Sequence, residues 1–195
     1  MAHGNGEVRD EPQQWPVVSS TDLHRDDWVM ALRRDTLRDL DGEGTFSRLV
    51  MEHPGAAVIV ALDAEGRVLC LKQYRHPAQM RFIELPAGLL DGENESPLDV
   101  ARRELQEEGS YAAATWRPLT AAYSSPGLIS EKIHYFLATD LTAVDRGDFV
   151  LEHEEADMEL MWVPFDDLHA AVLAGQVSDG PLLIAVLMVR ALGLA

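Results

Sequence analysis

Cysteine is nearly absent from this chain. Cys70 is the one thiol in 195 residues, which excludes a disulfide framework and fits a reducing compartment. Its setting, VLCL, makes it a small buried hydrophobe. Basic residues are scarce as well: 16 Lys and Arg stand against 33 Asp and Glu, a net charge of −17. That excludes a general nucleic-acid binder, which needs clustered cations to neutralise phosphates. Small anionic substrates stay open, because a bound metal reverses the local field. Long apolar runs are missing too. The most apolar stretch, residues 181–195, is broken by Arg190 and is too short to span a bilayer, so it reads as a packed terminal helix. The opening MAHGNGEVRDEPQQ lacks the apolar centre of an export signal, and the expected location is the cytoplasm.

What is present is enough for a core. With 47% hydrophobic residues, the chain is long enough for one domain, or one domain with a small accessory element. Residues 1–14 read as a flexible tail. Residues 15–52 mix β-prone runs (WPVVSS, WVMALRRDTL) with the break Leu40-Asp41-Gly42-Glu43-Gly44, which predicts a small strand-rich lead-in. Residues 56–62 and 68–73 are apolar and β-prone, and Asp63-Ala64-Glu65-Gly66 between them signals a hairpin that starts the core sheet. Further strands are predicted over 116–123, 133–137 and 158–163, with a turn at Ser124-Ser125-Pro126-Gly127. Helices are predicted over 164–174 and 181–194. No internal repeat or low-complexity tract is visible. The order of elements implies an α+β or mixed α/β sandwich with a central helix on the sheet.

That helix carries the chemistry. Ser96 is suited to cap it and Pro97 to its first position. Leu98, Val100, Ala101 and Leu105 supply an apolar face, and Gly109 marks a stop. On another face Glu104 lies i,i+3 from Glu107 and i,i+4 from Glu108, so three carboxylates crowd together. Like charges so placed repel, and a hard cation such as Mg²⁺ would relieve them. A solvated helix face in an acidic protein is the plain alternative.

The spacing decides between the two. Gly88, Glu95 and Arg103-Glu104-Leu105-Gln106-Glu107-Glu108 resemble the Nudix box, G-x5-E-x7-R-E-U-x-E-E-x-G-U with U aliphatic. Seven residues separate Glu95 from Arg103, and the R-E-U-x-E-E centre is complete. Two departures stand out. Six residues rather than five lie between Gly88 and Glu95, an insertion placed around Asp91-Gly92-Glu93-Asn94. Gly109 and Ser110 occupy the positions of x and Gly, and Tyr111 that of the last aliphatic residue, so the helix is expected to end early.

The resemblance implies an α/β/α Nudix sandwich over residues 53–195, with a mixed central sheet and the box helix packed on it. An N-terminal antiparallel β element over 15–52 would be exchanged between the subunits of a homodimer. It also implies hydrolysis of a nucleoside diphosphate derivative with Mg²⁺, or Mn²⁺ in its place, held by Glu104, Glu107, Glu108 and the carbonyl of Ala87. Arg103 and Glu95 would support the helix and loop.

The flanks narrow the substrate. Gln73-Tyr74-Arg75-His76, Glu84-Leu85-Pro86-Ala87-Gly88 and Ser125-Pro126-Gly127 resemble the ADP-ribose pyrophosphatase branch, in which a Pro downstream of the box is characteristic. Activity on ADP-ribose, giving AMP and ribose 5-phosphate, is therefore expected. Arg75 is either a fork for the diphosphate or one half of a strand-end ion pair. Glu84 is either a carboxylate that supports metal or substrate or a strand-edge charge, and Glu131 binds ribose hydroxyls or metal, or caps its turn. Trp28 stacks on a base or packs in a dimer core, and Arg33 or Arg34 helps hold the diphosphate. A general base is expected in the acidic loop Glu152-His153-Glu154-Glu155, at Glu154 or Glu155. Other nucleoside diphosphate sugars or dinucleotides, and a non-catalytic ADP-ribose sensor, are the alternative readings; nucleic acid and membrane partners are not expected.

Overall fold

In a computed structural model of the chain, residues 8–147 and 157–195 are described. The chain divides into two units, Met1–Glu52 and His53–Ala195. The first holds a three-stranded antiparallel sheet of β1 (Val17–Arg25), β2 (Ala31–Arg38) and β3 (Thr45–Glu52), in sequence order. Gly42, at φ 79°, turns the chain between β2 and β3, a conformation that side chains resist. Every residue of β1 is exposed, including Val17, Val18 and Leu23.

The second unit is built round β4 (Ala56–Ala61), AAVIVA, in which all residues are buried. A run with no polar alternation suits a strand covered on both faces. The remaining strands are β5 (Arg67–Arg75), β6 (Met80–Glu84), β7 (Ala87–Leu89), β8 (Tyr111–Tyr123), β9 (Lys132–Ala143) and β10 (Glu159–Pro164). They form a four-stranded sheet in the order β7-β4-β9-β8 and a three-stranded sheet in the order β10-β5-β6. The larger sheet is mixed, since β4 runs parallel to β9 and antiparallel to β7.

The turn read from Asp63 to Gly66 is present: Gly66 donates to Asp63 O at 3.1 Å, and Leu62 bridges Val68. One expectation changes beyond it. Strands β4 and β5 part into different sheets instead of continuing as one hairpin, because β7 and β9 already occupy both edges of β4.

Helix α1 (Pro97–Glu107) begins as its sequence signals. Ser96 Oγ accepts from Asp99 N at 3.2 Å, and Asp99 Oδ2 accepts from Ser96 N at 3.3 Å, so two end donors are satisfied reciprocally. Its buried Val100, Ala101 and Leu105 pack on Ala57, Ile59, Ala61 and Leu69. Truncating Leu105 to Ala would cost about 2–5 kcal/mol. On the other side, α2 (Phe165–Leu173) and α3 (Gly180–Ala191) cover Val58, Val60, Val68, Cys70 and Tyr135. The result is the expected mixed α/β architecture, helix on one face and a helix pair on the other. Burial pushes the Cys70 thiol up to about 12, so it packs rather than reacts.

The end of α1 differs from expectation in one detail. Gly109 does not take the left-handed conformation; Ser110 does, at φ 60°. Gly109 is small for a different reason. A Cβ there would stand 2.7 Å from Leu105 O and 2.8 Å from Leu69 Cδ2.

Candidate active site

The site grows from the contact between α1 and the segment leading into β7. Leu85 is buried, and the Pro86 carbonyl accepts from Ile59 N at 2.9 Å, which fixes this turn against the central strand. The next two residues meet the helix. Ala87 N donates to Glu108 Oε2 at 2.9 Å. Gly88 lies so close to Glu104 that any Cβ would collide with its carboxylate. Glu104 and Glu108, both buried, are thus brought to one dipeptide of β7 by their i,i+4 spacing.

Arg103 ties the remaining charges together. Its Nη1 donates to Glu104 Oε1 at 2.7 Å and Glu107 Oε2 at 3.0 Å, and its Nε lies 3.4 Å from Glu95 Oε1. One guanidinium therefore links three carboxylates of the box. Loop residue Asn94 sits at φ 64° in the lengthened stretch between Gly88 and Glu95.

A second polar group adjoins the first. Arg75 grips Glu84 through Nε and Nη2, at 3.0 Å to Oε1 and 2.7 Å to Oε2. Glu84, 6% exposed, is thereby a buried, paired carboxylate. These hydrogen bonds hold the Arg75 guanidinium above its ordinary pKa against the effect of burial, with Glu108 and Asp179 adding to the pull.

Sequence reasoning missed Asp179. It caps α3, its Oδ2 accepting from Leu182 N at 2.8 Å. Burial pushes its carboxyl up to about 6; Leu182 N lowers it, the nearby Glu84 raises it, and Arg75 lowers it. Tyr135, fully buried, has a hydroxyl with no hydrogen-bond partner among the described residues. Burial, then Asp179 and Glu131, push that phenol up to about 12. The Asp-Gly-Pro run announces a helix cap, but nothing local announces Glu84 and Arg75 beside it.

The other anticipated residues are spread more widely. Pro126 is exposed in the turn after β8, where Leu128 N and Ile129 N both donate to Ser125 O at 3.0 Å. Glu131, half-buried, faces His53. In the first unit, Trp28 is 62% exposed and its backbone N–H donates to Asp26 Oδ1, and Arg34 is exposed on β2. Arg33 is engaged by Asp35 and Glu52. Glu154 and Glu155 lie outside the described residues.

Among the described residues, no three carboxylate, imidazole or thiol groups converge as a closed metal cage. The donor chemistry nevertheless fits a hard cation. Mg²⁺ takes one or two carboxylates and fills its octahedron with waters and substrate phosphates, and oxygens of Glu104 and Glu108 are gathered here at Ala87 and Gly88.

A mixed sheet flanked by helices, with a strand–loop–helix carrying this web of Glu and Arg, defines a class that comparison with known proteins confirms. The chain belongs to the NUDIX domain family, whose model matches residues 51–184. It is 41% identical over 175 residues to an ADP-ribose pyrophosphatase of Mycobacterium tuberculosis, covering 90% of this chain and 83% of that protein. An ADP-ribose pyrophosphatase of Bacillus subtilis is 36% identical over 132 residues, covering 68% and 70%. A GDP-mannose pyrophosphatase of Yersinia enterocolitica is 31% identical over 159 residues, covering 76% and 82%. In fold, the chain resembles a crystal structure of an ADP compounds hydrolase with a TM-score of 0.75 at 20% identity, covering 94% of this chain and 96% of that one.

Proposed function

We propose that this protein is a divalent-metal-dependent hydrolase of ADP-ribose that releases AMP and ribose 5-phosphate. The observation that carries the reading is the meeting of Glu104 and Glu108 at the Ala87-Gly88 dipeptide, braced by Arg103 and Glu95. The substrate follows from the relatives, two of which are ADP-ribose pyrophosphatases. A bound Mg²⁺, or Mn²⁺ in its place, supplies neutralisation of the diphosphate and a water of lowered pKa. Glu104, Glu107, Glu108 and the Ala87 carbonyl are the groups that would hold it.

The chain's own residues do the rest. Arg103 holds the carboxylates of α1 in place against their mutual repulsion. Arg75, oriented by Glu84, presents a guanidinium suited to phosphate oxygens. Glu131 and the turn at Pro126 contact the sugar side, and Glu154 or Glu155 accepts the proton of the attacking water. Trp28 and Arg34 contribute to the substrate within a homodimer formed through the N-terminal element. The exposed Val17, Val18 and Leu23 of β1 support such pairing, and light scattering of the purified chain tests it. The described residues contain no helix long and apolar enough to cross a membrane.

A substrate panel followed by phosphorus NMR tests the assignment. ADP-ribose should be turned over fastest, with AMP and ribose 5-phosphate as the products. The GDP-mannose pyrophosphatase among the relatives gives the second reading, and faster turnover of GDP-mannose would replace the first. Tight ADP-ribose binding without turnover would make the protein a sensor.

A further inference from the structure

His53 opens the second unit and is not part of the box. Its side chain is 6% exposed, unusually deep for a histidine beside a loop. Three contacts fix it. Gly55 N donates to Nδ1 at 3.1 Å. Ser130 Oγ accepts from His53 N at 3.0 Å and donates to His53 O at 3.3 Å. The backbone around it is equally committed: Gly55 O accepts from Leu90 N at 3.1 Å, and Gly55, at φ 101°, has no room for a Cβ beside Lys132 O. Residues 53–55 therefore bridge the segment after Gly88 to the end of the Pro126 turn.

An imidazole whose Nδ1 accepts a hydrogen bond carries its hydrogen on Nε2. That Nε2 lies 3.5 Å from Glu131 Oε1. Among the described residues, His53 is the imidazole that faces this carboxylate. A buried ring held at both its backbone and its Nδ1 has no rotameric freedom to lose, so it can fix a flexible Glu in one orientation.

We propose that His53 is a positioning residue, holding the Glu131 carboxylate ready for a hydroxyl of the substrate. This rests on the reading of Glu131 as a substrate-binding residue. It assigns His53 no contact with substrate and no proton transfer.

Two substitutions separate the functions of the ring. His53→Asn keeps an acceptor for Gly55 N and removes the donor facing Glu131, whereas His53→Gln restores an amide donor near the Nε2 position. With ADP-ribose and saturating Mg²⁺, His53→Asn should raise KM about tenfold with kcat little changed, and His53→Gln should recover most of it. Glu131→Ala should raise KM similarly, and the double variant His53→Asn/Glu131→Ala should be no worse than Glu131→Ala. Additive losses, or a wild-type KM for His53→Asn beside an impaired Glu131→Ala, overturn the proposal alone. A wild-type KM for Glu131→Ala overturns the reading of Glu131 and the proposal with it. Should His53→Asn not fold, nitrogen-15 NMR of the histidines decides: the proposal predicts an Nε2–H tautomer for His53 whose Nε2 resonance moves in Glu131→Ala, and an unmoved resonance overturns it.

Discussion

Helices α1 and α3 both bring a carboxylate into the polar centre of the second unit, by opposite means. On α1, Glu104 and the C-cap Glu108 sit one turn apart; Arg103 of the same helix holds Glu104 and Glu107, and β7 meets both Glu104 and Glu108 at Gly88 and Ala87. On α3, Asp179 stands at the cap, and its charged neighbours Glu84 and Arg75 come from distant strands. The first arrangement is written in a local spacing and the second exists only after folding. The α1 group should therefore dominate activity, and the α3 group should show itself in stability and its pH dependence.

The largest expected effect breaks the α1 side. Gly88→Ala would drive a Cβ into the Glu104 carboxylate. Turnover should fall about 100-fold, with a stability loss of about 1–3 kcal/mol from overpacking. Steady-state kinetics and a denaturant melt read the two separately. Wild-type kinetics would mean that the close approach of β7 to α1 has no catalytic value.

The α3 side predicts a pH signature. Asp179 titrates at about 6 in the folded chain, above its ordinary 3.8, so the folded state holds its proton more tightly than the unfolded one. Stability from this group is present at low pH and is lost as pH rises from about 4 to about 6. Asp179→Asn keeps an acceptor for Leu182 N and removes the charge. It should therefore stabilise the protein by about 2 kcal/mol at pH 7 and by almost nothing below pH 4, measured by urea unfolding at both pH values. Equal effects at both would contradict the burial argument.

The smallest effect lies at the end of α1. Ser110 occupies a left-handed position, φ 60°, where the family pattern has Gly. Ser110→Gly should stabilise by about 1 kcal/mol, read as a small rise in melting temperature, with activity unchanged.

The same contrast explains what the sequence discloses. Ser96 with Pro97, the apolar stripe at Val100, Ala101 and Leu105, and the Asp63 to Gly66 turn are short-range signals, and the structure shows each of them. The parting of β4 from β5 is not local, since it depends on which strands reach the edges of β4 first. Arg75 and Glu84 meet across the β5–β6 hairpin, an ion pair that leaves the diphosphate role of Arg75 a proposal. His53 and Tyr135 carry no motif, and the run from Asp179 marks only a helix cap; their importance comes from burial, which is a property of the whole fold. At the end of α1 the departure from the family pattern was visible, and only backbone geometry showed that Ser110 takes over the role of Gly while Gly109 serves packing.

The most direct test of the account is the rate of Glu108→Gln on ADP-ribose with excess Mg²⁺, measured beside its thermal melt. Gln can still accept from Ala87 N but lacks the ligand charge. A loss of at least about 100-fold in kcat with the fold retained is expected. A folded Glu108→Gln enzyme of near wild-type rate would contradict it.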